Sequence, residues 1–199
     1  MTALGVASLI VSLGALAVSL TALWAANFRR GRIALSQPTI FFFGWDNREA
    51  PLPKIMFRSV LFCSAKRGSI IESMYLVVRN RAGKFSFSFW GYDDGKGMVR
   101  GSGIHVAETG HVAYHHFNPP GNTGDFDYVI GEYVVEVWVH EFGATADAKL
   151  GTYSFNLADD MNAQALQKGG DGIIWDWLPE QRTYVPVTKS QSKSAKAIG

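Results

Sequence analysis

Four of the chain's five histidines fall within twelve residues: His105, His111, His115 and His116. Three imidazoles converging on one point are the ligand set of a catalytic zinc centre. Whether they converge depends on how residues 104–116 fold. Glu108-Thr109-Gly110 suits a three-residue hairpin loop with Gly110 in the left-handed position. That register pairs Ala107 with His111, His105 with Ala113 and Gly103 with His115. Ile104, Val106, Val112 and Tyr114 then share an apolar face, and His105, His111 and His115 share the other, with diagonal neighbours about 7–8 Å apart at Cα. A two-residue loop slips the register by one and carries His111 and His115 into the core beside Ile104 and Val106, which the cost of burying imidazole disfavours. The simpler reading is three solvated or hydrogen-bonded histidines on a polar face. It is the better supported one, because no carboxylate stands at metalloenzyme spacing and HExxH is absent. No metal or other cofactor is expected.

Other reactive patterns are weaker. There is no Walker A loop, and Gly101-Ser102-Gly103 lacks the strand–turn–helix setting of a nucleophile elbow. Asp93-Asp94-Gly95 has no glutamate at the distance a calcium loop requires. Cys63, the single cysteine, lies in the apolar run Val60-Leu61-Phe62-Cys63 and reads as a small buried hydrophobe. Trp138, Trp175 and Trp177 could stack on a sugar, although aromatic residues in a β fold more often fill the core.

The elements that must hold these residues are strands. Short apolar runs end at glycine and proline turns: residues 39–43, 55–64, 70–79, 98–107, 111–117, 129–142, 150–157, 173–178 and 183–187. Phe85, Phe87 and Phe89 alternate with Ser86 and Ser88, which places the three rings on one face. A short helix is predicted over 158–167, closed by Gly169-Gly170. The expected class is all-β: an antiparallel, immunoglobulin-like sandwich. Gly131-Glu132-Tyr133 sharpens this, because it looks like the tyrosine-corner strand of such sandwiches. Tyr133, Val135, Val137 and Val139 should line the core, while Glu136 and His140 face out with Trp138 beside them.

Ahead of the strands lies a run without charge, residues 3–26, long enough for a helix to cross a bilayer. No basic residue precedes it and Ala25-Ala26 is a weak cleavage site, so a retained anchor fits better than a signal peptide. Arg29, Arg30 and Arg32 follow at once, and the positive-inside rule places them in the cytoplasm. Gly5, Ser8, Ser12, Ala15, Ser19, Ala22 and Ala26 recur in steps of three and four. Such a heptad stripe of small residues lets helices pack closely. The competing reading is that each serine only bonds its own i−4 carbonyl.

Of the 19 basic residues, three flank the span and three more, Lys189, Lys193 and Lys196, lie in the tail. Residues 33–188 are left with 13 bases against all 17 acids, a net charge of −4. A nucleic-acid-binding domain normally shows a dense basic face, so nucleic acid is not an expected partner. The expected organisation is an anchor (1–28), a basic juxtamembrane link (29–36), a β-sandwich domain (37–188) and a basic disordered tail (189–199).

Arg100-Gly101-Ser102-Gly103, Glu108-Thr109-Gly110, His115-His116-Phe117, Gly131-Glu132-Tyr133 and Trp175-Asp176-Trp177 carry a further likeness. Through them the chain resembles a group of bacterial proteins with an N-terminal span and a β domain behind it. The group has no assigned activity, so the resemblance implies architecture and location but no catalytic residues. The function these observations favour is a membrane-tethered, non-enzymatic interaction module of the bacterial inner membrane, N-terminus out and β domain cytoplasmic. Its expected partners are the lipid bilayer and, through the small stripe, a second copy or another membrane protein. The alternatives are a metal-dependent enzyme using the histidine hairpin, or an extracytoplasmic carbohydrate- or peptide-binding domain.

Overall fold

The chargeless run forms one helix, α1 (Ala3–Asn27). The structure, a computed structural model, describes residues 3–28, 31–46, 49–101, 103–122, 126–158 and 160–187. Arg29, Arg30 and the basic tail 189–199 lie outside the described residues. None of the side chains from Ala3 to Ala25 is buried against the rest of the chain. Within α1, Ser12 Oγ donates to the Ser8 carbonyl, Ser19 Oγ to Ala15 and Thr21 Oγ1 to Ala17, at 2.8–2.9 Å. A hydroxyl in an apolar medium needs such an internal acceptor.

Among the described residues twelve strands follow: β1 (Ile33–Leu35), β2 (Ile40–Trp45), β3 (Pro53–Cys63), β4 (Ser69–Asn80), β5 (Gly83–Asp93), β6 (Met98–Arg100), β7 (Ile104–Val106), β8 (His111–Asn118), β9 (Gly131–Glu141), β10 (Ala148–Leu157), β11 (Ile173–Leu178) and β12 (Thr183–Val187). A six-residue helix, α2 (Asp160–Ala165), lies within the range predicted for it. Every strand pair is antiparallel, and all twelve strands belong to one sheet. The hydrogen-bonded path runs β10-β9-β4-β5-β8-β3-β2-β11-β12, with β1 on β3, β6 on β5 and β7 on β4. The sheet curls until its ends nearly meet. The seam between β10 and β12 is filled by rings: Phe155 and Tyr184 stand 4.8 Å apart, and Tyr153 and Tyr184 6.3 Å apart. The fold is therefore a single barrel-like sheet where two separately packed layers were expected.

The core lies inside this curl. Phe41, Phe43, Phe57, Phe87, Phe117, Tyr133 and Trp175 are fully buried there, each contributing roughly 1.5–3 kcal/mol by leaving water. Along β3 alternate residues from Pro53 to Cys63 are buried, as period-two geometry requires. Phe85, Phe87 and Phe89 share the inward face and Ser86 and Ser88 point out. In β9, Tyr133, Val135, Val137 and Val139 face the core as read. The tyrosine corner closes: the Tyr133 hydroxyl donates to the Val129 carbonyl and accepts from the Val129 N–H, both at 2.6 Å.

Two local expectations fail. Residues 33–35 of the juxtamembrane link are strand, paired with Cys63, Phe62 and Leu61. The histidine hairpin does not form either. The Ala107–Gly110 turn is made, with Gly110 N–H donating to Ala107 at 3.1 Å and Gly110 at φ 84. The strands on either side of it then separate: β7 pairs with β4, and β8 lies between β3 and β5. The facing of β8 is also the reverse of that expected. Phe117 is two residues from His115, so seating Phe117 in the core beside Phe57 and Phe89 draws His115 and His111 to the inner face.

Candidate functional site

β8 carries the histidines in two directions. His111, Ala113, His115 and Phe117 face inward, opposite Leu61, Ser59, Phe57 and Ile55 of β3. The His111 and His115 rings are 6.4 Å apart, and His111 meets Tyr92 of β5 edge-on at 4.8 Å. His115 has no solvent exposure, and among the described residues neither of its ring nitrogens has a hydrogen-bond partner; His111 Nε2 and the Ser59 hydroxyl share that state. Burial, followed by repulsion from His111 and His116, pushes the His115 pKa down to about 3. Burial also lowers His111, against a smaller pull from Asp94. His116 points to the other side of the sheet, between Met56 and Gly91. It too is buried, and burial with the nearby Lys54 charge brings its pKa down to about 4. These imidazoles are neutral near pH 7.

His105 does not join them. It lies opposite Ile70 on β4 and is exposed, while Ile104 and Val106 on either side point inward. The sheet wall thus separates His105 from His111 and His115, and the shared face drawn from the hairpin register is corrected. Among the described residues no group of three or more His, Cys, Asp or Glu side chains is placed to hold a metal ion.

His105 instead lines an open cleft of about 370 Å³ with Arg67, Gly68, Ser69, Glu141 and Phe142. The Ser69 hydroxyl donates straight to Glu141 Oε2 at 2.8 Å, so His105 does not stand between them as a serine–histidine–acid relay requires. Gly68 has φ 72, and a Cβ there would come within 2.7 Å of the Val106 carbonyl oxygen and 2.9 Å of His105 Nε2. Glycine is what lets the β3–β4 turn close against the histidine. Gly31 completes the cleft wall. Next to it, Arg32 N–H donates to Ser64 Oγ at 2.9 Å, and Ser64 N–H returns a bond to the Arg32 carbonyl at 3.1 Å. The segment leaving α1 is therefore fastened to the turn that forms the cleft. Phe142, beyond the end of β9, is 68% exposed, the most of any large hydrophobic side chain identified as exposed outside α1. A bulky aromatic followed by glycine at the end of an alternating strand was the available sequence signal for this site.

The outer face of β4, β9 and β10 carries a polar network. Glu136 accepts from Arg79 at 3.1 Å, Lys149 at 3.4 Å and Trp138 Nε1 at 3.3 Å, and the Arg79 bond leads in lowering its pKa. His140 Nδ1 lies 2.8 Å from Asp147, which also accepts from the Tyr75 hydroxyl at 2.7 Å. Tyr75 and Trp138 are cross-strand partners with near-parallel rings 6.4 Å apart. Trp175 is wholly in the core, so the three tryptophans form no common sugar platform.

Gly5, Ser8, Ser12, Ala15, Ser19 and Ala22 all lie on α1 and are exposed. Because Ser12 and Ser19 spend their hydroxyl protons within the helix, contact along that stripe would rest on close packing. Comparison with family models, with curated proteins and with solved structures finds no match.

Proposed function

We propose that the chain is a single-pass membrane protein whose curled sheet is a non-enzymatic interaction module held at the bilayer surface. The observation that carries this is α1: 25 residues without charge, unburied from Ala3 to Ala25, and joined through Gly31 and Arg32 to one end of the sheet. A helix of this length matches the hydrocarbon core, and so much apolar surface is unfavourable in water. Arg29, Arg30 and Arg32 favour the N-terminus outside and the sheet in the cytoplasm. The likeness to bacterial anchored β-domain proteins points to an inner membrane.

A binding role is favoured over catalysis by the histidines themselves. His115 is sealed from solvent and finds no hydrogen-bond partner among the described residues, and Ser69 is tied to a carboxylate. The net charge of −4 over residues 33–188 speaks against nucleic acid as the partner.

The test is topology. A reporter fused after Gly199 that is active only in the cytoplasm supports the reading, and activity only outside overturns the orientation. Extraction of the full chain by alkaline carbonate, without detergent, overturns the anchor.

A further inference from the structure

The geometry points to the cleft at Arg67, His105 and Phe142 as a docking surface for anionic phospholipid of the same bilayer that α1 enters. This rests on the reading of α1 as a span. Four Cα steps separate Asn27, the last helical residue, from Gly31 in the cleft wall. At ~3.6 Å each they reach at most ~14 Å. The headgroup zone on one side of a bilayer is roughly 5–7 Å deep. A tether this short leaves the cleft end of the sheet at the lipid surface.

What that end presents fits such a place. Phe142 is 68% exposed at the tip of the turn after β9. Lys66 and Arg67 are exposed on the β3–β4 turn directly beside the tether. An aromatic ring at headgroup level with basic side chains around it is the usual composition of a membrane-interface contact. Arg67 and His105 offer donors to a lipid phosphate within the cleft. The end also carries Glu108 and Glu141, the latter already bonded to Ser69. Docking would fix the orientation of the sheet relative to the membrane, so that the outer face of β4, β9 and β10 is presented to a soluble partner at a set angle.

Full-length protein in nanodiscs tests this. Cys63 is 1% exposed, so a cysteine introduced by Thr145→Cys, exposed in the turn after β9 and outside the cleft lining, takes a fluorophore selectively, as does one from Ala82→Cys on the turn between β4 and β5 at the far end of the sheet. In discs holding phosphatidylglycerol, nitroxide-labelled lipid should quench the probe at 145 and leave the probe at 82 bright. Lys66→Gln with Arg67→Gln should lower the docking equilibrium constant, roughly fivefold per charge removed. In phosphatidylcholine discs quenching at 145 should also fall. A probe at 145 that stays as bright as one at 82 overturns docking. A probe from Leu13→Cys, within α1, reads the span separately. If it too escapes quenching, the anchor itself is wrong, whereas quenching at 13 alone leaves the anchor standing and removes only the docking.

Discussion

The His115 ring lies 5.3 Å from the Phe57 ring, directly across the β3–β8 pair, with both imidazole nitrogens unpartnered. An imidazole in that setting can be held only in its neutral form. The unfolded chain takes up a proton on each histidine near pH 6.5, while the folded chain resists until about pH 3 at His115 and about pH 4 at His116. Between those values the unfolded state binds more protons, so stability is lost as pH falls. Each pH unit inside the window removes on the order of 1.4 kcal/mol per histidine. Urea midpoints measured from pH 7.5 down to 4.5 should hold nearly level to about pH 6.5 and fall below it. A midpoint unchanged across that range contradicts the buried, neutral assignment.

Replacing His115 with phenylalanine should stabilise the sheet. The site is bounded by Phe57 at 5.3 Å and Phe89 at 6.3 Å, and it contributes no hydrogen bond that the substitution would break. Removing a buried polar group without a partner recovers about 1–3 kcal/mol. His115→Phe should therefore raise the urea midpoint at pH 7 and flatten its acid dependence. A lower midpoint at pH 7 would mean that the imidazole makes a contact the surrounding side chains do not supply.

The legible parts of this fold were those governed by local periodicity. The limits of β11 and β12 agree with the reading, and β9 presents Tyr133, Val135, Val137 and Val139 inward as alternation demands. Strand partners were not legible. Glu108-Thr109-Gly110 does make a turn, but a turn does not choose which strands lie beside it. The face that β8 turns inward follows from Phe117, whose burial fixes the parity of the whole strand and takes His111 and His115 with it. The cleft was hidden for the same reason: Gly31, Arg67, His105 and Phe142 are distant in sequence and meet only once β3, β4, β7 and β9 have paired.

The tyrosine corner should be a measurable strut. Tyr133→Phe keeps the ring among its neighbours but strips the Val129 N–H and carbonyl of their partner. Leaving such groups unpaired costs about 1–3 kcal/mol. For a chain of this size that corresponds to a fall in Tm of roughly 2–4 °C per kcal/mol. A melting temperature equal to that of the parent would show that water replaces the hydroxyl at no cost.

The small-residue stripe of α1 leads to the last prediction. Leu9, Leu13, Leu16, Leu20 and Leu23 are each more than half exposed, so the helix has apolar surface to bury against something in the bilayer. Small residues at Ser8, Ser12, Ala15 and Ser19 allow the closest approach of a second helix, and a repeat of seven favours left-handed crossing. Ser12 and Ser19 bond their own i−4 carbonyls, so packing contacts must dominate any association. Ser12→Leu with Ala15→Leu fills the stripe without adding charge or breaking the helix. If the stripe is the seam, these substitutions should weaken self-association of the full chain in bilayers, read as a loss of energy transfer between labelled copies. Substitution at Leu13 with alanine, off the stripe, should leave it nearly unchanged. Equal energy transfer in the parent and the leucine variant would place the contact elsewhere on the helix.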